Sequence, residues 1–321
     1  DLIERIASDI ISALDRPFML GNDLAYVSAS IGITLYPRDG ETLAAILKNA
    51  DQAMYHAKDA GRNRFSYYSP SMQEHAQARL QMGTDLRAAL AEGQLSLHYQ
   101  PILDLTSGQV FKAEALLRWQ HPTLGEIPPT EFIPVAEELG LIDAIGGWVF
   151  ESAIATVARW RALWPADDQA NCPLQISVNA SPRQFTGGRS IDGLLARLAA
   201  LGLPGHCVAI EITEGMLLDK HPAVAAQLGR LAAAGVPVTI DDFGTGYSAM
   251  AYLKRLDIDT LKIDRSFIRD LTTDPGDLAI AEAIIAMAHK LGIQVVAEGV
   301  ETLEQQSRLN DAGCDYSQGF L

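Results

Sequence analysis

Cysteine is scarce in this chain. Its 321 residues hold three, Cys172, Cys207 and Cys314, far apart and with no Cys-x-x-Cys pair. That excludes a disulfide framework and a thiolate zinc site. It suits a reducing compartment, so a cytoplasmic location is expected. The seven histidines show no metal-ligand spacing. Positive charge is in deficit as well: 25 Lys and Arg against 40 Asp and Glu leave a formal net charge of -15. A basic groove that tracks nucleic acid is therefore excluded, and no DNA or RNA binding is expected. An anionic substrate is admitted only where local basic residues or bound cations invert the field. No uncharged apolar run reaches the length of about 18 residues that a membrane helix needs. The opening residues, DLIERIASDI, read as an amphipathic helix and not as a signal peptide.

What is present is a globular composition, 48% apolar, long enough for two domains or one large barrel. Residues 1–70 alternate helix, strand, helix and strand. AYVSASIGITLY is β-rich, PRDG is a turn, and TLAAILKNADQAMYHAKDAG has helical spacing. Gly61 closes that helix and RFSYY follows as a strand. Residues 71–92 are helix formers and read as a connector.

A different rhythm begins at Leu95. Short β-rich runs occupy 95–101, 111–119, 174–179, 207–213, 237–241, 260–264, 293–298 and 314–318. Most intervals carry long amphipathic helical patterns, such as AVAAQLGRLAAAG and LAIAEAIIAMAHKLG. Alternating strands and helices imply parallel pairing, and eight strands permit closure into a TIM-type (β/α)8 barrel over residues 93–321. Only LDLTSGQ separates the first two runs, too little for a crossover helix, so that pair is expected to be antiparallel.

The carboxyl ends of these runs converge on one face of a barrel, where active sites are built. Here they carry Glu114 and Arg118, Asn179, Glu211, Asp241 with Asp242, Lys262 with Asp264, Glu298, and Gln318. Buried carboxylates without cations are expensive. An oxygen-rich set without a His or Cys cluster favours Mg²⁺ or Mn²⁺ over Zn²⁺. Adjacent aspartates allow one carboxylate to bridge two ions while the other serves one of them, an arrangement suited to phosphoester hydrolysis. At this point two readings of the rim stand side by side, two-metal phosphoester chemistry and solvated rim charges. Lys262 likewise reads either as an ion-paired lysine or as a group that orients or deprotonates a water.

EALLRW at 114–119 resembles the signature of EAL-domain cyclic di-GMP phosphodiesterases. So do HPTLGEIPPTEFIPVAEELGLI, SVNAS, EITE, DDFGTGYS, LKIDRSFI, AEGVET and SQGF, in family order over roughly residues 85–321. The resemblance implies a barrel whose first strand is antiparallel. It implies one metal site from Glu114, Asn179, Glu211 and Asp241, and a second from Asp241, Asp242 and Glu298. Lys262 matches the family's base or water-orienting lysine, and Gln318 the glutamine beside that water; Glu114 and Glu298 belong to the same catalytic set. Arg118, Leu116, Gln100 and Asp264 match substrate contacts, and Glu214 the glutamate that steadies the DFGTGYS loop. The implied activity is opening of cyclic di-GMP to linear pGpG with two Mg²⁺ or Mn²⁺ ions, Ca²⁺ being inhibitory. The alternative is a non-catalytic cyclic di-GMP receptor.

The resemblance departs at Ala249, where a second serine is expected, and at Leu321, beyond which family members continue through a further helix. Residues 1–70 resemble the C-terminal part of a GGDEF diguanylate cyclase domain, through SASIGITLYPRDG, ILKNAD and AMYHAKDAGRNRF. The GGDEF loop itself is absent from the sequence, so cyclase activity is not expected of these residues. A homodimer through the barrel and a sensory domain upstream, with membrane attachment through it admitted, complete the expectations.

Overall fold

The computed structural model describes residues 2–21, 23–187, 189–217, 221–245, 253 and 256–321. The chain divides into two units, Asp1–Asp85 and Leu86–Leu321.

In the first unit, helix α1 (Leu2–Leu14) precedes a small antiparallel pair, β1 (Phe18–Leu20) with β2 (Asp23–Ala25). Strand β3 (Ile31–Ile33) runs parallel to β4 (Phe65–Tyr67) across helix α2 (Leu43–Asp59). The side chain of Thr42 caps α2 by accepting from the amide of Ala45 at 3.2 Å, a donor that would otherwise be unpaired. Packing of α2 against β3 requires Gly32: a Cβ there would lie 1.9 Å from the carbonyl oxygen of Ala50. Of the β-rich run 25–36, Ala25 ends β2 and Ile31–Ile33 form β3. Helix α3 (Pro70–Ala91) spans the division between the units.

The second unit is a closed barrel of eight strands. In order around it stand β5 (Leu95–Asp104), β13 (Tyr316–Gly319), β12 (Gln294–Val300), β11 (Thr260–Ile263), β10 (Val238–Phe243), β9 (Val208–Thr213), β8 (Gln175–Asn179) and β6 (Val110–His121). The pairing of β5 with β6 closes the ring. Strand β5 is antiparallel to both its neighbours and the remaining barrel pairs are parallel. All eight β-rich runs from Leu95 onward are barrel strands. Sequence reading did not find β7 (Gly125–Ile127), a short antiparallel addition to the edge of β6.

Parallel strands covered on both faces read as continuous apolar runs, and β9 and β11 are buried along nearly their whole length. Ile210, Ile212, Ile240, Leu261, Ile263 and Val295 are each at most 1% exposed. Each such side chain contributes about 1.5–3 kcal/mol of apolar burial. Around them pack α5 (Ile142–Arg161), α7 (Arg189–Ala200), α9 (Pro222–Ala233) and, later in the chain, the helices Pro275–Lys290 and Leu303–Asp311. Among the described residues no helix is long and apolar enough to cross a membrane.

Candidate active site

At the centre of the barrel lies a lysine. Lys262, on β11, is 1% exposed, and its Nζ stands 3.0 Å from Glu114 Oε2, 3.0 Å from Glu211 Oε2, 3.3 Å from Asp241 Oδ1 and 2.6 Å from Glu298 Oε1. Four different strands deliver these carboxylates, β6, β9, β10 and β12. The backbone ladder puts them in register: Glu114 pairs with Ser177, Asn179 with Glu211, and Glu298 with Gln318. Inward-facing positions of neighbouring strands thus form one ring of polar side chains inside an apolar wall.

Amide side chains complete the ring. Asn179 donates to Glu114 Oε1 at 2.6 Å, and Gln318 donates to Glu114 Oε2 at 2.7 Å and to Gln100 Oε1 at 3.1 Å. Gln100, opposite Glu114 on β5, donates in turn to the carbonyl of Gly319 at 3.2 Å.

The electrostatics follow from crowding. Burial works against ionisation of Glu114, but the ammonium of Lys262 and the hydrogen bonds from Gln318, Lys262 and Asn179 hold its carboxyl below the ordinary range. Glu211 is pushed up to about 8 by burial, with Glu114 and Asp241 adding repulsion that Lys262 only partly offsets. Burial raises Glu298 to about 7, again against the pull of Lys262 and with repulsion from Asp241. Lys262 loses by burial, yet Glu211, Glu114, Glu298 and Asp241 together keep its ammonium well above the ordinary lysine range. Its three donors face four acceptors, so in this arrangement it is a counter-ion and not a base.

Asp241 and Asp242 part company at a bulge. The register of β10 against β11 shifts between Ile240 and Phe243, and Asp242 takes a left-handed backbone, φ 54°. Aspartate tolerates that region better than most residues, and such strain gathers at functional sites. Successive side chains of a regular strand point to opposite faces. Here ligand atoms of Asp241, Asp242 and Glu298 all lie within 4.8 Å of one another. Burial, Asp241 and Asp264 raise the carboxyl of Asp242. Asp264 itself caps the turn that follows β11 by accepting from the amide of Ser266 at 2.9 Å.

Glu214 lies outside the ring. It is 4% exposed and opens α8 (Glu214–Leu217), where its Oε2 accepts from the amide of Gly244 at 3.2 Å. Gly244 adopts φ 99°, and a Cβ there would meet the Phe267 ring at 2.9 Å. The start of the loop after Asp242 is thus pinned from beneath. Residues 246–250 of that loop, Ala249 included, lie outside the described residues.

The expected substrate contacts are placed less centrally. Leu116 and Arg118 follow Glu114 along β6 on the same strand face. The Nη1 of Arg118 donates to the carbonyl of Leu117 at 2.9 Å, and its Nε faces Glu126 at 3.6 Å. Glu126, on β7, was not picked out from sequence; only its place in LGEIPP offered a signal.

The residues fit a pair of hard divalent cations. All donors are oxygens apart from the lysine, and Glu211 Oε1 is buried with no hydrogen-bond partner among the described residues. Four carboxylates, Glu114, Glu211, Asp241 and Glu298, face one ammonium, with Asp242 beside Asp241 and Glu298; fully ionised, the five would leave an excess of four negative charges that two divalent ions would cancel.

Comparison with known proteins places this geometry. Residues 84–321 match the EAL domain family, and residues 1–64 match the family described as diguanylate cyclase, GGDEF domain. The bifunctional diguanylate cyclase/cyclic di-GMP phosphodiesterase MucR of Pseudomonas aeruginosa is 43% identical over 317 residues, 98% of this chain and 45% of that protein. The cyclic di-GMP phosphodiesterase PdeR of Escherichia coli is 39% identical over 319 residues, 99% of this chain and 47% of that protein. The chain thus spans less than half the length of these relatives. A solved structure of the PaMucR phosphodiesterase in a c-di-GMP complex superposes with a TM-score of 0.69 at 44% identity, covering 75% of this chain and 95% of that one.

Proposed function

The chain belongs to the EAL domain family, and from that membership we propose that it hydrolyses cyclic di-GMP to linear pGpG with two Mg²⁺ or Mn²⁺ ions. The observation that carries this reading is the excess of buried carboxylates around Lys262 at the barrel centre, with Glu211 Oε1 left unpaired. The relatives named as cyclic di-GMP phosphodiesterases support the substrate.

Glu114, Asn179, Glu211 and Asp241 would hold one ion, and Asp241, Asp242 and Glu298 the other. When bound, the ions would supply positive charge against the phosphodiester and would make a nearby water more acidic. The chain's own residues do the rest. Lys262, kept as an ammonium, offsets negative charge as the attack proceeds. Gln318 fixes the face of Glu114 turned toward the reaction and offers its own carbonyl oxygen to the water. Arg118, four residues beyond Glu114 on the same face of β6, would contact a phosphate. Burial of Glu114, Glu211 and Lys262, each at most 5% exposed, keeps these charges in a medium where they act strongly.

Calcium, larger and less exacting in geometry, is expected to bind and support little turnover. A homodimer through the barrel belongs to the same proposal and rests on the family resemblance. The test is incubation of purified protein with cyclic di-GMP and Mg²⁺, with chromatographic separation of products. Linear pGpG supports the enzyme; binding without turnover would make the chain a receptor.

A further inference from the structure

We propose that Gln100 is a positioning residue that sets the orientation of the Gln318 side-chain amide. The inference begins with a directional chain of hydrogen bonds. Gln318 Nε2 lies 2.7 Å from Glu114 Oε2 and 3.1 Å from Gln100 Oε1, while Gln100 Nε2 lies 3.2 Å from the carbonyl oxygen of Gly319.

Chemistry fixes the sense of each link. An ionised carboxylate only accepts, so the Gln318 atom against Glu114 is its NH2 group. The second N–H of that group needs an acceptor, which Gln100 supplies with its carbonyl. The NH2 of Gln100 then falls on Gly319, whose carbonyl also only accepts. Turning Gln318 over would set oxygen against oxygen at Glu114 and again at Gln100. Turning Gln100 over would set two NH2 groups face to face and two carbonyls face to face. One arrangement satisfies every link, and it is anchored at one end by a carboxylate and at the other by backbone.

The consequence falls on the remaining atom. With its nitrogen engaged twice, Gln318 has only Oε1 left, and that oxygen is buried with no hydrogen-bond partner among the described residues. Gln318 itself is 5% exposed. A buried amide oxygen in such a place calls for a donor of small size. On the phosphodiesterase reading, on which this step rests, the donor is the attacking water. Gln100 therefore acts through Gln318. Both of its own polar atoms are occupied within the chain, and a direct contact with substrate would break the relay.

Two variants test the assignment. Gln100→Leu keeps bulk and removes both links; Gln100→Glu keeps the acceptor toward Gln318 and loses the donor to Gly319. For Gln100→Leu, kcat on cyclic di-GMP should fall roughly ten- to hundredfold, the scale of a small misplacement at a reacting centre. KM, and cyclic di-GMP binding in Ca²⁺, should stay within about twofold, because no ground-state contact is lost. Gln100→Glu should recover part of kcat.

A second readout needs neither metal nor turnover. In the metal-free protein labelled with ¹⁵N-glutamine, the side-chain NH2 signals of Gln318, identified by their loss in Gln318→Met, should move in Gln100→Leu and stay near their wild-type positions in Gln100→Glu. Unmoved Gln318 signals in Gln100→Leu would overturn the relay. So would a loss that falls on KM and binding while kcat is intact, since that marks a direct substrate contact. If the wild-type protein does not hydrolyse cyclic di-GMP, the proposed function fails, and the NMR comparison still decides the relay.

Discussion

The ammonium of Lys262 stands 2.6 Å from the carboxylate of Glu298, with three more carboxylates within 3.3 Å of the same nitrogen. One positive charge in a space shared by so many negative ones makes the lysine a structural counter-ion of the metal-free site, whatever it does during turnover.

Lys262→Met should therefore destabilise the metal-free protein. Breaking a buried ion pair by removing one partner leaves charge uncompensated, at a cost of about 3–5 kcal/mol. Urea unfolding in EDTA at pH 8 measures it. Wild-type stability in this variant would show that the carboxylates are not held by the lysine.

The pH dependence of the metal-free protein has a definite sign. Glu211 and Glu298 have folded-state values raised to about 8 and about 7. A carboxyl whose value is raised on folding binds more protons folded than unfolded, so stability falls as pH rises between the unfolded and folded values. The melting temperature in EDTA should fall from about pH 5 to about pH 8, the window between ordinary and raised carboxyls. Added Mg²⁺ should raise it more at pH 8 than at pH 6. A flat profile in EDTA would contradict the crowding.

Glu114→Ala should lower turnover at least about a hundredfold, the usual cost of deleting one electrostatic element of a reacting site. The residue joins Lys262, Asn179 and Gln318, so its loss also loosens two amides. Thermal unfolding of the variant, measured alongside, separates chemistry from collapse of the fold. A folded variant with near-normal rate in Mg²⁺ would remove Glu114 from the metal set.

Glu214→Ala should lower turnover more than it weakens cyclic di-GMP binding in Ca²⁺. Its Oε2 holds the amide of Gly244, two residues from Asp242, and small displacements of a ligand cost rate before they cost affinity. Equal losses in both measurements would show a merely structural role.

The barrel was legible because parallel strands buried on both faces leave uninterrupted apolar runs, and because LDLTSGQ is too short for a crossover. Convergence of Glu114, Glu211, Asp241, Lys262 and Glu298 was legible for the same reason: strand ends meet at a barrel rim. The four-way grip on Lys262 was not, since no spacing along the chain encodes distances across a barrel. Nor was the left-handed turn at Asp242: adjacency suggested that both aspartates serve ions, but no spacing encodes the bulge that brings them together. In the first unit, AYVSASIGITLY reads as β-rich, but where its β3 ladder begins and ends is set by pairing with β4. The hydrogen bonds of Gln100 to Gln318 and Gly319 were not legible either, because its place opposite Glu114 is a property of register.

The most direct measurement counts Mn²⁺ bound to the metal-free protein, from the EPR signal of the free ion, with cyclic di-GMP hydrolysis assayed on the same samples. The carboxylate excess around Lys262 predicts two ions per chain at saturation, with turnover appearing only as both are taken up. Turnover in samples without bound ion, or a saturated protein that holds none, would contradict it.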